Sequence, residues 1–171
     1  MLILLSGCSD SQEPIIETKT IAFDEGSSLF ADIVYPADNE YSKERAALGK
    51  LLFHDVLLSR DKTKSCASCH HPYLAFSDSV AISPGENDRL GIRNAPSLTN
   101  AAYLPNAFKD GGAPNLEMQI QGPIEDTNEM NFNLLELEQR LQADGDYEEM
   151  AMSAYGRGMS AYVLTRALSN Y

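Results

Sequence analysis

Cys66-Ala67-Ser68-Cys69-His70 is the stretch that decides how this 171-residue chain is interpreted. Two thiols three residues apart, followed at once by an imidazole, form the Cys-x-x-Cys-His signature of c-type haem attachment. The spacing suits that chemistry, because two thiols can add to the two vinyl groups of one porphyrin and the next residue places an imidazole beneath the iron. The sequence therefore predicts one covalent haem c, anchored by Cys66 and Cys69 and ligated by His70.

Other uses of a Cys-x-x-Cys pair fit this sequence less well. A redox dithiol needs a strand–helix context, and no alternating run here is long enough for a sheet. A zinc site needs a second ligand pair, whereas only His54 and His71 remain. His54 ends a helical segment and is interpreted as a surface or capping residue, and His71 is interpreted as solvent-exposed. A chance occurrence of the motif is the remaining alternative.

Predicted helices flank the motif on both sides. Ser42 can cap a helix over 43–54, with Ala47, Leu48, Leu51 and Leu52 expected on its buried side. Further helices are predicted over 96–103, over 116–121, from 133 through 141, after 145, and from 161 onward behind Ser160. The loop over 76–93 is long enough to indicate a function or a cofactor to pack against. The pattern predicts an all-α domain with long loops.

The N-terminal segment is expected to lie outside this domain. Leu5-Ser6-Gly7-Cys8 has the form of a lipobox and follows an apolar run placed where a signal peptide has its hydrophobic region. Residues 1–8 are thus interpreted as a lipoprotein signal remnant, 9–40 as a tether with one possible strand at 20–23, and 41–171 as the domain. An ordinary start with a chance Cys is the alternative. Ser9 favours the outer membrane, so the predicted location is the periplasm, lipid-anchored.

Composition limits the partners of the chain. With 13 basic and 25 acidic residues the net charge is −12, so nucleic acid is not expected as a partner. No apolar run approaches the roughly 18 residues of a membrane span, so membrane contact is expected only through the lipid anchor. The last helix ends on its apolar stripe without a Gly or Pro stop, which predicts that the chain is truncated at its C-terminal end.

A longer series of motifs resembles the bacterial di-haem cytochrome c peroxidase family, which includes the methylamine-utilisation enzymes of MauG type. In chain order the matching stretches are Leu48-Gly49-Lys50-Leu51-Leu52-Phe53, Leu58-Ser59-Arg60-Asp61, Ser65 with the haem motif, Ala75-Phe76-Ser77-Asp78, Arg93-Asn94-Ala95-Pro96-Ser97-Leu98, Ala102-Tyr103, Asp110-Gly111, Gly122-Pro123 and Glu129-Met130. Their order and gaps agree from about Leu48 to Tyr171. The resemblance implies two cytochrome-c-like domains with one haem each, of which this chain is the first.

The resemblance also implies roles for residues at matching positions. Gln119 and Glu129 match the polar pair over the open face of the peroxidatic haem, and Pro123 lines that face between them. Glu129 is the candidate for moving a proton between the two oxygens of peroxide, while Gln119 can hydrogen-bond peroxide without adding charge. Asn94 matches the side-chain ligand of a calcium ion between the two domains. Without the resemblance, these residues would be ordinary helix-entry, surface and turn residues.

Three departures from the family pattern matter. A second Cys-x-x-Cys-His motif is missing, so the electron-transfer haem of the family is not supplied by this sequence. Glu86 stands where many members place a His that blocks the iron in the oxidised state. A carboxylate in a mobile polar loop is expected to leave that side of the iron open. Lys109 replaces a Trp that lies between the two haems in relatives.

The leading interpretation is the N-terminal, peroxidatic domain of a cytochrome c peroxidase facing the periplasm. It would reduce hydrogen peroxide to water with electrons from a small cytochrome c or a cupredoxin. One alternative is oxidative modification of a protein or small molecule, as in the MauG-type branch. The other is an electron-transfer cytochrome whose sixth iron position is closed, usually by Met or His. The available Met residues are interpreted as core filler: Met118, Met130, Met150, Met152 and Met159.

Overall fold

The computed structural model describes residues 31–108 and 111–171. The helices of this part of the chain are α1 (Lys43–His54), α2 (Leu116–Glu125), α3 (Leu134–Gln142), α4 (Gly145–Tyr155) and α5 (Ala161–Asn170). Short 3₁₀ turns lie between α1 and α2, at Val56–Leu58, Cys66–Ser68, Pro72–Leu74, Glu86–Asp88 and Ala101–Tyr103. The predicted all-α architecture with long loops is confirmed.

The predicted caps begin their helices through side-chain hydrogen bonds. The Ser42 hydroxyl accepts from the backbone N–H of Arg45 at 3.1 Å, and the Ser160 hydroxyl accepts from that of Val163 at 3.3 Å. The Asn133 side chain accepts from two backbone N–H groups at the start of α3. Each cap satisfies donors that have no partner inside the helix, which is why polar residues at these positions locate the helix starts.

The core forms where α1 crosses α5. Apolar side chains from all five helices fill it: Leu48, Leu52, Phe53, Ile124, Leu137, Leu141, Tyr147, Ala151, Val163, Leu164, Ala167 and Leu168. The expectation for α1 was wrong at two positions, because Ala47 is exposed and Leu51 is 46% exposed. Gly49 and Phe53 are buried in their place, so the buried face of α1 is rotated toward the side on which Gly49 meets α5.

Gly49 is the point of closest approach between these two helices. A Cβ added there would lie 1.9 Å from the carbonyl oxygen of Ala167 in the backbone of α5. Since a helix backbone cannot give way locally, Gly49→Ala is expected to lower the free energy of unfolding by about 1–3 kcal/mol or more. The measurement is chemical denaturation of the haem-loaded protein.

Gly145→Ala is the matched control, because a Cβ at Gly145 meets nothing within 4 Å. It lies in the first turn of α4, where alanine has the higher helix propensity, so stability should stay the same or rise slightly. Equal effects of the two substitutions would contradict close packing of α1 on α5.

Two predicted helices have different bounds in the structure. The helix predicted over 116–121 continues to Glu125, with Pro123 inside its last turns. The helix predicted over 96–103 is wrong apart from a single turn at Ala101–Tyr103. There the hydroxyls of Ser97 and Thr99 donate to the carbonyl of Ala75 instead, which ties the segment to the loop behind the haem motif.

Residues before α1 also pack into the helical unit, which runs from Ile33 to Tyr171. The sequence analysis places 33–40 in the tether, yet Asn39 is only 1% exposed. Its side chain donates to Glu117 of α2, and Nδ2 of Asn170 in α5 donates to the Oδ1 and the backbone carbonyl of Asn39. Cys8, the possible strand at 20–23 and Lys109 lie outside the described residues. Among the described helices, none has the length and apolar character required to cross a bilayer.

Candidate functional site

Hydrogen bonds to the backbone of Phe76 and of Pro96 hold the His70 ring in place. Its Nδ1 lies 2.8 Å from the backbone carbonyl oxygen of Phe76. Because a carbonyl only accepts, this contact places the proton on Nδ1 and leaves the lone pair on Nε2. Burial lowers the pKa of His70, which favours the neutral imidazole that ligates iron. The imidazole is therefore prepared to act as an axial ligand.

The two cysteines lie on the short turn at Cys66–Ser68, directly before His70. The turn is closed by backbone hydrogen bonds from the N–H groups of Cys69 and His70 to the carbonyl of Cys66, at 3.2 and 3.0 Å. Both thiols are free, and burial raises the pKa of Cys66 to about 12 and raises that of Cys69 as well. Redox-active Cys-x-x-Cys pairs have lowered pKa values, so this pair fits a thioether anchor better than a dithiol centre.

An aromatic wall supports the His70 ring. Phe53 of α1 is 6% exposed, and its ring centroid lies 6.4 Å from His70, 6.2 Å from Phe76 and 5.2 Å from Tyr171. Ala75 and Phe76 both have left-handed backbone conformations, which turn the carbonyl of Phe76 toward the imidazole. The sequence analysis did not identify this support, because positive φ angles at Ala and Phe give no sequence signal.

The three residues expected on the opposite side of the haem lie on α2 and in the turn that follows it. Gln119 and Pro123 are four residues apart on α2 and therefore lie on one face of the helix. The backbone N–H of Met130 donates to the carbonyl of Pro123 at 3.1 Å, which fixes the turn that follows α2 against its C-terminal end. Glu129 directly precedes Met130, so its backbone lies close to the end of α2.

Glu129 lies within electrostatic reach of the haem motif. It is accessible to solvent, yet neighbouring protein atoms and, next, the negative charge of Asp126 raise its pKa. Its own charge in turn helps to raise the pKa of the Cys69 thiol. A carboxyl group with a raised pKa, within electrostatic reach of the Cys-x-x-Cys-His turn, is suited to exchange protons.

Glu86 does not lie in a mobile polar loop, so that expectation was wrong. Its side chain is 1% exposed, and its two carboxylate oxygens accept from the backbone N–H of Asp61 at 2.6 Å and from Nδ2 of Asn131 at 2.7 Å. Its backbone N–H donates to the carbonyl of Glu129 at 2.7 Å. The carboxylate is therefore committed to protein donors, and the sequence could not reveal this because the partners are 25 and 45 residues away.

The remaining candidates do not join this site. Asn94 is exposed and donates to the carbonyl of Ala95 at 3.3 Å, so its calcium role stays a prediction. His54 is exposed, as expected. His71 is half-buried rather than exposed, with its ring stacked on Tyr73. Within 31–108 and 111–171, no group of three or more His, Cys, Asp or Glu side chains is placed to hold a metal ion.

The methionines divide into two groups. Met130 and Met159 are 5% and 1% exposed and belong to the core, and Met150 packs against it, as expected of core residues. Met118 and Met152 are 53% and 55% exposed, so the interpretation as core filler was wrong for these two. Met130 and Met159 therefore have a packing role in the core.

Comparisons with known proteins all indicate one protein family. The family model described as di-haem cytochrome c peroxidase matches residues 43–171. Methylamine utilization protein MauG of Methylophilus methylotrophus is 36% identical over 137 residues, which cover 80% of this chain and 41% of that protein. Cytochrome c551 peroxidase of Pseudomonas aeruginosa is 33% identical over 136 residues, covering 77% and 39%. The chain thus spans about two fifths of the length of these relatives.

Solved structures show the same architecture. A MauG-like protein associated with microbial copper homeostasis superposes with a TM-score of 0.77 at 29% identity, covering 84% of this chain and 43% of that one. The diheme peroxidase BthA from Burkholderia thailandensis superposes with a TM-score of 0.70 at 28% identity, covering 78% and 39%. These similarities confirm the cytochrome-c-like fold class and, for such a family, imply haem c as the cofactor.

Proposed function

This chain belongs to the di-haem cytochrome c peroxidase family, and from that membership we propose that it is the domain in which hydrogen peroxide is reduced to water. The electrons come from a small cytochrome c or a cupredoxin by way of a second haem domain. One observation carries the proposal: the turn that holds Glu129 is bonded to α2, which holds Gln119 and Pro123, and Glu129 lies within electrostatic reach of Cys69.

Haem c, when bound, supplies the iron at which peroxide is held and reduced. Cys66 and Cys69 hold the porphyrin through thioether bonds, and Nε2 of His70 ligates the iron. The carbonyl of Phe76 fixes the tautomer and the ring orientation of His70, a support that typically matters about 10- to 100-fold for metal sites. Phe53 packs behind the ring and keeps water from that side.

Glu129 and Gln119 handle the protons of peroxide. The Glu129 carboxylate takes a proton from one peroxide oxygen and delivers it to the other, which then departs as water. Gln119 offers a neutral hydrogen bond to peroxide, so it adds no charge beside the carboxylate. Complete reduction consumes two electrons and two further protons per peroxide and gives two waters. The raised pKa of Glu129 suits it to both halves of this transfer.

Two alternative functions differ in what they need from the site. An electron carrier needs a strong sixth ligand, which a Met or a His would have to supply. Oxidative modification of a protein or small molecule, as in the MauG branch, is favoured by the 36% identity to methylamine utilization protein MauG. This second candidate uses the same proton-handling residues and differs in the source of electrons.

We also propose where the protein acts. Attachment of haem c outside the cytoplasm and the lipobox at Leu5-Ser6-Gly7-Cys8 support a periplasmic location with a lipid anchor on Cys8, in the outer membrane. Asn94 contributes to a calcium site completed by the second haem domain.

Peroxide reduction with an external donor tests the proposed function. The haem-loaded natural protein is mixed with hydrogen peroxide and a reduced small cytochrome c or cupredoxin. Oxidation of two donor molecules per peroxide consumed is the expected result. Rapid electron exchange with the donor in the absence of peroxide consumption would instead establish the carrier. Peroxide consumption that no donor supports, with oxidation of an added protein, would establish the modifying enzyme.

A further inference from the structure

A buried carboxylate fixes the turn that carries Glu129. Glu86 accepts hydrogen bonds from the backbone N–H of Asp61 and from the side chain of Asn131, at 2.6 and 2.7 Å. Its own N–H donates to the carbonyl of Glu129 at 2.7 Å. One residue therefore connects three segments: the loop before the haem motif, the loop over 76–93, and the turn over 126–131.

Backbone packing next to Glu86 reinforces this connection. Gly85 lies so close to the turn that a Cβ there would be 1.9 Å from the carbonyl oxygen of Asn128. Arg89 donates from its guanidinium to the carbonyl of Thr127 at 2.9 Å. The short segment Gly85–Arg89 thus contacts three successive residues of the turn, Thr127, Asn128 and Glu129.

The other side of the turn is held by the loop that supplies Asp61. The backbone N–H of Arg60 donates to the carbonyl of Met130 at 3.1 Å, and its side chain donates to the carbonyl of Asn131 at 2.7 Å. Arg140 of α3 fixes this loop by donating to the carbonyls of Ser59 and Arg60, and it lies within electrostatic reach of Glu86. The turn is therefore clamped between two loops, with Glu86 where they meet.

On this geometry, and resting on the proposed function, we propose that Glu86 is a positioning residue for Glu129. By joining Asp61, Asn131 and the backbone of Glu129, it sets where the Glu129 carboxyl stands relative to peroxide. The same hydrogen bonds keep the Glu86 carboxylate away from the iron, so this loop supplies no blocking ligand.

Exchanging the carboxylate and the amide between Glu86 and Asn131 distinguishes a positioning role of Glu86 from a general effect on stability. Asn131→Asp places two carboxylates against each other at a 2.7 Å contact, while Asp tolerates the left-handed backbone of this position nearly as well as Asn. Adding Glu86→Gln restores a donor and an acceptor with their roles exchanged, at the same net charge as the natural protein. Asn128→Asp is the control, since it adds a charge to the same turn and leaves the Glu86–Asn131 hydrogen bond in place.

Amide hydrogen exchange of the haem-loaded protein measures directly how stably the turn over 126–131 is folded. The N–H groups of Glu129 and Asn131 donate to the carbonyl of Asp126, and that of Met130 donates to the carbonyl of Pro123 at the end of α2. In Asn131→Asp their exchange should be faster by about tenfold or more, because a buried polar contact has been replaced by repulsion. In the Glu86→Gln/Asn131→Asp double variant, the exchange rates should return close to those of the natural protein. In Asn128→Asp they should equal those of the natural protein.

The pH dependence of peroxide turnover is the measurement that reports whether the Glu129 carboxyl is correctly positioned. The charged groups around it are Asp126 and, through Glu86, Asp61 and Arg140. Asn131→Asp should lower kcat and move the acidic limb of the profile, and the double variant should restore both. Three results would each overturn the proposal. Amide exchange could be unchanged in Asn131→Asp, it could be faster in that variant with an unchanged pH profile of turnover, or the double variant could fail to recover. A natural protein that turns over no peroxide would instead remove the proposed function, with the exchange data still measured.

Discussion

Replacing Glu129 by Gln is expected to reduce peroxide turnover by about 10²- to 10⁴-fold, the usual contribution of a general acid–base group. Gln has nearly the same shape but cannot accept and return the proton, so haem content and the ferric spectrum should stay unchanged. Steady-state turnover of the haem-loaded protein is the measurement. Glu149→Gln, an exposed change on α4, is the control and should retain full activity.

The same residue sets the expected pH dependence. The pKa of Glu129 is raised, so the carboxylate that accepts the proton is fully present only above that raised pKa. Turnover should therefore fall as the pH drops through it, and Glu129→Gln should lose this limb of the profile. Because a raised pKa means that the charged form is disfavoured in the folded state, Glu129→Gln should also raise stability slightly above that pKa. Turnover of Glu129→Gln within a few-fold of the natural protein would exclude Glu129 from the mechanism.

The Cys66→Ser/Cys69→Ser double variant is expected to lose covalent haem from this domain completely. A hydroxyl cannot form the thioether bond, and the two cysteines are the only anchors that the motif provides. Mass spectrometry of the peptide that contains residues 65–89 is the measurement, since it reports on this motif even when a second haem domain is present. Cys8→Ser is the matched control, because it removes a thiol outside the motif and should leave the haem attached. Haem retained on this peptide in the double variant would contradict the assignment.

Local signals in the sequence predicted much of this domain. Side-chain caps such as Ser42, Asn133 and Ser160 act within three residues, so the starts of their helices could be identified without any tertiary information. The haem motif is local for the same reason, since five consecutive residues carry its whole chemistry. The i, i+4 spacing explains why Gln119 and Pro123 lie on one face of α2, whereas the roles of Gln119, Pro123 and Glu129 were implied only by the family resemblance.

Features that depend on distant partners could not be predicted. The burial of Glu86 depends on Asp61 and Asn131, and a charged residue in a loop rich in Ser, Gly and Asn normally indicates exposure. The buried face of α1 depends on how closely Gly49 can approach α5. The helix expected over 96–103 is replaced by hydroxyl contacts to the carbonyl of Ala75, which a sequence pattern does not report.

The spin state of the ferric haem tests the central claim most directly. The Glu86 carboxylate is committed to protein donors and so does not replace the blocking His of relatives, while the exposed Met118 and Met152 are competing sixth ligands. The distal side of the iron should therefore be open or hold only water. Optical and electron-spin spectra of the fully oxidised, haem-loaded protein should show a high-spin haem that binds cyanide rapidly without prior reduction. A low-spin, six-coordinate haem in this domain that binds cyanide slowly would contradict the account and favour the electron carrier.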